Sequence, residues 1–486
     1  MANETLITAL QDAKLYDHEV KNFSVLETHC SWVILAGYYA YKIKKPVDFG
    51  FLNYTSLAKR KHYCEEEMKR NQLLAKQIYL NIVPVYGTVD KPNFNGRGDV
   101  IEYAVKMHQF PQENLLSNVQ KQGRLTGEII DKLATRLAHF HATTNAVPQS
   151  SIIGNSEHTH QQIRDNFTQT LPLLENEADQ QELQQLSNDV KILYQKVKPV
   201  IDRRKASGFV KQCHGDVHLN NIVLLNNEPI IFDCIDFNDD FCWTDTMADL
   251  GFITMDLDEF GETHFSWRLL NHYLQISGDY DGLQVLPYFQ SYRAMVRAKV
   301  AMISLANTTA PEKRAEYYRR YKGCVALAKA YLQPKKAKLL LTCGVSASGK
   351  STLAQQLSNA LNLVTLASDR ERKRQANITL QDDCSAPVST ELYSQQQTEQ
   401  TYGTLLKLSK TILAAGCSLI VDATFREYKH RQTFARLAQQ INVPFIILYC
   451  HAKEKQLRRR LSLRQQQAQS ISDATQEVLT LSLIHI

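Results

Sequence analysis

The stretch GVSASGKST, residues 344–352, decides the fold of the C-terminal part of the chain. It fits the pattern GxxxxGK[ST], in which glycines let the backbone curl and point successive N–H groups at phosphate oxygens. The apolar run LLLTC precedes it at 339–343, and a helical pattern begins at Ser351. Strand, loop and helix in this order predict a phosphate-binding loop within an α/β domain that has a parallel sheet.

The loop predicts a site for ATP and Mg²⁺. Lys350 can reach the β and γ phosphates, and the Ser351 hydroxyl can bind the metal. A chance Gly/Ser-rich turn is the alternative, and the flanking strand and helix disfavour it. The residues assigned to ATP binding here are Gly344, Ser346, Ser348, Gly349, Lys350, Ser351 and Thr352.

Two acids follow further apolar runs of this part. Asp369 comes after the run 363–366, where a general base for an acceptor hydroxyl would stand. Arg372 lies three residues on, on the same face of a helical turn, and is assigned to ATP binding. Asp422 ends the run LIVD at 419–422 and is predicted to hold Mg²⁺, as a Walker-B acid does. A helix cap for Asp369 and a plain strand end for Asp422 are the alternatives.

A basic run at 453–464 leaves three interpretations open. In a small kinase, a mobile basic helix can close over the transferring phosphate. A nucleic-acid patch and a solvated helix face are the other two. The arginines concerned are Arg458, Arg459, Arg460 and Arg464.

A second constellation begins with HGDVHLNN at 214–221 and continues with IIFD at 230–233. Phosphate transfer from ATP needs one acid at the hydroxyl, and an amide and a second acid on Mg²⁺. The predicted base is therefore Asp216. The predicted metal ligands are Asn221, Asp233 and, as a further candidate, Asp236. An Asx-rich loop is the alternative, and a backbone-bonding role is favoured for His214 over zinc binding.

These motifs resemble two groups of known kinases. HGDVHLNN and its following acid are similar to the aminoglycoside-phosphotransferase and choline-kinase branch of the protein-kinase-like fold. GVSASGKST, with Asp369, Arg372 and Asp422, resembles small AAA-type P-loop kinases of the polynucleotide-kinase and gluconate-kinase type. Together with residues 27–52, the motifs make nearly the whole chain similar to a bacterial two-domain family that joins both.

The first resemblance implies a strand lysine paired with a helix glutamate in the ATP site. In AYKIK, at 40–44, Lys42 and Lys44 share one face because the strand period is two, and Lys42 is chosen. On the predicted helix 57–79, Glu67 is chosen as the inward acid, and Glu65 and Glu66 are assigned to solvent. The resemblance also implies an adenine-binding strand at 102–107 and an acceptor-shaping helical insertion at about 150–205.

The expected fold is an α+β bilobal kinase-like domain followed by an α/β P-loop NTPase domain. The first would span 1–330, with lobes meeting near residue 106. A linker at 331–337 would lead to the second domain at 338–486. We expect that domain to be incomplete at its C-terminus.

Composition limits the remaining possibilities. The chain has 486 residues, of which 44% are apolar, and it carries 56 basic and 50 acidic side chains. A net charge of +6 over this length does not by itself indicate a nucleic-acid partner. Ten scattered cysteines without a CxxC pair, and no apolar run of membrane-spanning length, indicate a cytoplasmic protein.

The expected function is ATP-dependent phosphate transfer to hydroxyl groups of small molecules, with two separate Mg–ATP sites. One alternative is a single catalytic kinase domain beside a nucleotide-sensing regulatory domain. The other is a polynucleotide 5′-hydroxyl kinase that uses the P-loop part. The sequence shows no evident run of aromatic and basic residues on which nucleic-acid bases could stack, and this counts against that alternative.

Overall fold

The computed structural model describes residues 2–50, 52–376, 378 and 394–466. They divide into two compact units: residues 1–159 with 202–256, and residues 160–201 with 257–486. The linker predicted at 331–337 stays a prediction. The predicted C-terminal truncation concerns residues beyond 466, which lie outside the described residues.

The strands of the first unit are β1 Phe23–Glu27, β2 Ser31–Ala36, β3 Tyr39–Lys44, β4 Tyr79–Thr88, β5 Lys91–Asn93, β6 Val100–His108, β7 Val210–Gln212, β8 Ile222–Leu225, β9 Glu228–Ile231 and β10 Trp243–Asp245. Those of the second unit are β11 Leu339–Cys343, β12 Val364–Ala367, β13 Leu419–Asp422 and β14 Phe445–Tyr449.

The helices, in chain order, are α1 Ala2–Ala9, α2 Leu57–Ala75, α3 Leu116–Lys121, α4 Gly127–Thr143, α5 Ser156–Thr170, α6 Glu177–Ala206, α7 Asp239–Cys242, α8 Thr246–Glu259, α9 Thr263–Ser277, α10 Leu286–Ala306, α11 Pro311–Leu332, α12 Lys350–Leu361, α13 Ser368–Gln375, α14 Gln395–Ala414, α15 Tyr428–Ile441 and α16 Glu454–Gln466.

An antiparallel six-stranded sheet in the order β1-β2-β3-β6-β4-β5 dominates the start of the first unit. The predicted hairpin is β2 and β3, and it turns at Gly37, whose φ is +64°. Helix α2 lies on the sheet and buries Cys64 and Met68 against Val105 of β6. The hydroxyl of Ser56 caps α2 by accepting the N–H of Lys59. The helix is therefore fixed at its start and along its apolar face.

The second unit contains a parallel sheet in the order β12-β13-β11-β14. Its central strand β11 is buried along Leu339–Thr342, which explains why its sequence is a continuous apolar run and not an alternating one. In a parallel sheet all carboxyl ends share one edge. The loop after β11, the end of β13 and the start of α13 therefore meet at that edge.

Helix α9 completes the outer edge of this sheet through one side chain. Asn271 accepts the N–H of Thr365 on β12 at 2.8 Å and donates to the carbonyl of Leu363 at 2.9 Å. It also donates to the Ser358 hydroxyl at 3.1 Å. A buried asparagine thus takes the place that a further strand would take beside β12.

Replacing Asn271 by alanine should lower the stability of the second unit by about 2 kcal/mol, because a buried N–H is left without an acceptor. Thermal unfolding of the full-length protein measures the change. Asn271→Asp keeps the acceptor for Thr365 but sets a buried carboxylate against the Leu363 carbonyl, so it should lose at least as much. An Asn271→Ala variant that unfolds like the wild type would contradict this role.

Candidate functional site

Three distant segments of the first unit meet at Lys42 on β3. Its ammonium donates to Glu67 Oε1 of α2 at 2.8 Å and to Asp233 Oδ1, after β9, at 2.6 Å. The Glu67 side chain is fully buried, whereas that of Asp233 is 43% exposed. Asp233 has a φ of +64°, a left-handed conformation that is uncommon outside glycine and often marks a functional position.

Lys44 makes a second, deeper set of contacts at the same place. It donates to the other oxygen of Glu67 at 2.8 Å and makes a very short contact with Asp236. The Tyr54 hydroxyl also lies 3.4 Å from Asp236. The prediction selected Lys42 alone, but the structure engages both lysines with Glu67. Asp236, predicted as a further metal ligand, lies buried on Lys44.

The pairing fixes the charges of this cluster. Burial acts to lower the pKa of both lysines, but neighbouring carboxylates outweigh it and raise the pKa: Asp233 and Glu67 at Lys42, and Asp236 and Glu67 at Lys44. Burial also acts against ionised Glu67, and the two ammonium groups outweigh it and lower the pKa of that carboxyl. Glu67 is therefore a buried anion that holds both lysines in place.

Replacing Lys44 by methionine should destabilise the first unit by about 3 kcal/mol, because buried Asp236 loses its cation. Thermal or urea unfolding of the full-length protein measures this. The Lys44→Met/Asp236→Asn double variant should recover part of the loss. Lys45→Met is the matched control: its partner Glu27 is exposed, so the loss should be much smaller. Equal losses in the single and double variants would contradict the pairing.

Asp249 of α8 holds the backbone of the loop HGDVHLNN in place. The Asp249 carboxylate accepts the N–H groups of His214 at 2.7 Å and Gly215 at 2.8 Å. The His214 Nδ1 accepts the N–H of Asp216, so its Nε2 donates to the carbonyl of Phe232 at 2.8 Å. Burial lowers the pKa of His214, in keeping with this neutral form. The histidine bonds the backbone of the loop.

Asp216 stands at the accessible side of this loop. Asn221 Nδ2 donates to Asp216 Oδ2 at 3.1 Å, and His218 Nε2 lies 3.3 Å from the same oxygen. The Asp216 side chain is 38% exposed, whereas Asn221 is buried. The predicted base therefore has an oriented carboxylate that a substrate can reach, next to a predicted metal ligand.

The phosphate-binding loop of the second unit joins β11 to α12 through backbone conformations that its sequence permits. Gly344 has a φ of +142°, and a Cβ there would lie 2.3 Å from the carbonyl oxygen of Cys450. Gly349 has a φ of +100°. Lys350, at the start of α12, is buried and donates to the Val345 carbonyl at 2.7 Å.

The remaining residues of the phosphate-binding loop differ in burial. Ser351 and Thr352 are exposed in the first turn of α12, and Ser346 is half-buried. The Ser348 hydroxyl is buried and has no hydrogen-bond partner among the described residues. A buried orphan hydroxyl beside a helix N-terminus fits a bound phosphate oxygen as its missing partner.

The two acids predicted at the sheet edge, Asp422 and Asp369, each accept a hydrogen bond from a neighbouring side chain. Thr342 of β11 donates to Asp422 Oδ1 at 3.1 Å, which fixes this carboxylate beside the loop. Arg372 donates to Asp369 Oδ1 at 3.2 Å within α13. Arg374 anchors the same helix by donating to the Gln275 carbonyl of α9 at 2.7 Å.

Helix α16 contains the basic run. Leu457 and Leu461 pack against Val345 and Ala347 of the loop. The arginines diverge: Arg460 donates to the Ala347 carbonyl at 3.2 Å, and Arg458 donates to Glu454 of its own helix. Arg459 is exposed, and the side chain of Arg464 lies outside the described residues.

Two family models match the chain, one after the other. Residues 56–286 match the phosphotransferase enzyme family, and residues 339–483 match an AAA domain. The two matched regions follow one another along the chain, and each is similar to one of these families. The predicted fold class is thereby confirmed: a kinase-like domain that begins with an antiparallel sheet is followed by a P-loop domain with a parallel sheet. Both families support a phosphotransferase that uses ATP.

Relatives and solved structures extend the comparison. Uncharacterized proteins of Mycobacterium tuberculosis and Mycobacterium bovis are each 26% identical over 465 residues, which is 93% of this chain and 88% of theirs. A choline/ethanolamine kinase family protein from Mesorhizobium loti is 14% identical and has a TM-score of 0.41, covering 68% of this chain and 98% of that one. A Plasmodium vivax ethanolamine kinase is 12% identical with a TM-score of 0.36, covering 65% and 86%.

The described helices include no candidate membrane span. Each is too short or too polar to cross a bilayer.

Proposed function

We propose that this protein transfers the terminal phosphate of ATP to hydroxyl groups of small molecules, and that it does so with two separate Mg–ATP sites. The observation that carries the proposal is the contact of Lys42 with both Glu67 and Asp233, which lie 25 and 191 residues away in the chain. A lysine oriented by a buried glutamate, beside an accessible acid, is an arrangement suited to ATP phosphates and their metal.

At the first site, Asp216 would accept the proton of the acceptor hydroxyl. The hydroxyl oxygen then forms a bond to the γ-phosphorus, the bond to the β–γ bridging oxygen breaks, and ADP leaves with that electron pair. Lys42 would hold the phosphates. Asn221 and Asp233 would hold Mg²⁺, which neutralises phosphate charge when bound, and their oxygens are of the kind this ion prefers. Asp236 would pair with Lys44 and keep its ammonium in place.

At the second site, the same transfer would use Asp369 as the base. Lys350, Arg372 and the backbone of the phosphate-binding loop would bind ATP. Ser351 and Asp422 would hold the metal, directly or through water. The orphan hydroxyl of Ser348 supports phosphate binding here, since a phosphate oxygen would give it a partner.

A phosphorylation screen tests both sites. The full-length protein is mixed with Mg²⁺, labelled ATP and a library of small hydroxyl compounds, together with Asp216→Asn and Asp369→Asn variants. Two product classes, each lost in one variant, are expected. Loss of all products in one variant alone, with ATP bound at both sites, would favour one catalytic and one regulatory domain. Products that persist in the double variant would contradict the proposal.

We also propose a reducing, cytoplasmic location. The nine described cysteines are all free thiols, which fits such a compartment.

A further inference from the structure

Three potential metal ligands meet between helices α14 and α15, and neither proposed ATP site uses them. Glu399 belongs to α14, Glu427 immediately precedes α15, and His430 lies in its first turn. His430 Nε2 is 3.7 Å from Glu399 Oε1 and 4.0 Å from Glu427 Oε1. All three ligand atoms lie within 4.8 Å of one another.

The histidine nitrogen is what distinguishes this cluster from ordinary surface acids. His430 is only 7% exposed, and its Nε2 has no hydrogen-bond partner among the described residues. The ring is stacked on Tyr402 at 3.9 Å with an interplanar angle of 7°. Tyr402 is itself fixed, because its hydroxyl accepts the N–H of Phe425 at 2.9 Å. The imidazole is therefore clamped with Nε2 facing the two carboxylates.

The distances favour a shared ion over direct bonds. A hydrogen bond to nitrogen needs about 2.7–3.2 Å, which both nitrogen–oxygen separations exceed. Ligand bonds of about 2.0–2.2 Å in a tetrahedral zinc site put neighbouring ligand atoms about 3.4 Å apart. The observed 3.7 and 4.0 Å are slightly wider than this, and two exposed glutamates can close such a gap by small rotations.

The charges of the cluster also suit a bound cation. Lys429 lies 2.5 Å from Glu399 Oε1 and 2.9 Å from Glu427 Oε2, so its ammonium now balances the carboxylates. That side chain is 54% exposed and can leave for solvent.

We propose that His430, Glu399 and Glu427 form a binding site for a divalent transition-metal ion such as Zn²⁺, with Lys429 as the competing cation. One nitrogen and two carboxylate ligands leave a fourth position for water or a substrate group. The site is separate in its residues from the Mg²⁺ ligands proposed above.

Calorimetric titration of the full-length protein with Zn²⁺ tests this site. His430→Gln should remove one equivalent of bound zinc or weaken it at least about 100-fold, more than the loss of an outer-shell partner costs. Lys429→Met should tighten the same equivalent, because a competing charge is gone. His451→Gln, which removes an exposed histidine, should leave it unchanged.

The proposal is overturned if no equivalent of zinc distinguishes the wild type from His430→Gln, or if Lys429→Met weakens binding. A circular dichroism spectrum and an ATP titration of His430→Gln show whether the variant is folded. If it is not, Glu399→Gln and Glu427→Gln replace exposed side chains and should each weaken the same equivalent. If all the bound zinc survives all three substitutions, other side chains such as thiols hold it, and the proposal is overturned.

Discussion

Asp216→Asn should lower the rate of phosphate transfer at the first site by about 10²–10⁴-fold, the range that a general base contributes. The amide has the size of the carboxylate and can still accept the hydrogen bond that Asn221 donates at 3.1 Å. The loop should therefore keep its shape, and only the proton acceptor is lost. Single-turnover transfer to an acceptor identified in the screen measures the rate, and calorimetry measures ATP affinity.

A general base should affect the rate of phosphate transfer and leave the affinity for ATP nearly unchanged. ATP affinity should change by no more than about twofold, because Lys42 and Asp233 remain paired and in place. Asp90→Asn, in the exposed turn between β4 and β5, removes the same charge and should leave the rate unchanged. An Asp216→Asn variant with a normal rate would exclude Asp216 as the base. One that lost ATP affinity together with rate would make it a binding residue instead.

Local patterns explain why much of the fold could be predicted. The run at 339–343 is a strand over those residues, because a strand buried in a parallel sheet is continuously apolar. The run at 445–449 is also a strand, but it lies at the edge of the sheet and leaves Ile446 and Ile447 exposed. The helix predicted at 57–79 ends at Ala75, and strand β4 begins at Tyr79. No glycine or proline marks that boundary in the sequence, so tertiary pairing with β6 decides it.

The charged cluster was predicted less completely, because its partners are distant in the chain. Strand periodicity places Lys42 and Lys44 on one face but cannot show that both reach Glu67. The partner of Lys44 is Asp236, 192 residues further on. Glu66, assigned to solvent, is half-buried and pairs with Arg70 of its own helix. An i,i+4 search for opposite charges would have found that pair.

Other residues gave no local signal at all. Asn271 lies inside a helix, and its role appears only when its amide is seen to accept the N–H of Thr365 on β12. His430 is one of fifteen histidines in the chain. Its significance comes from the stacked Tyr402 and from two acids on different elements, which only the packing of α14 on α15 brings together.

Lys350→Met should remove ATP binding from the second site. The ammonium is expected to make charge-assisted hydrogen bonds to two phosphates, each contributing about 1.5–3 kcal/mol, so affinity should fall by about 10²–10⁴-fold. Methionine can fill the buried space that the lysine stem occupies, and the bond to the Val345 carbonyl is given up in the free protein. Nucleotide titration of the full-length protein should show the loss of one equivalent.

The count of equivalents is what makes this result informative, because the two proposed sites depend on different lysines. Lys42→Met should remove the other equivalent, and the two variants together should remove both. Lys410→Met, which changes an exposed lysine of α14, should remove neither. If Lys350→Met left the stoichiometry unchanged while Lys42→Met abolished it, the phosphate-binding loop would not hold ATP. The orphan hydroxyl of Ser348 would then need another anion as its partner.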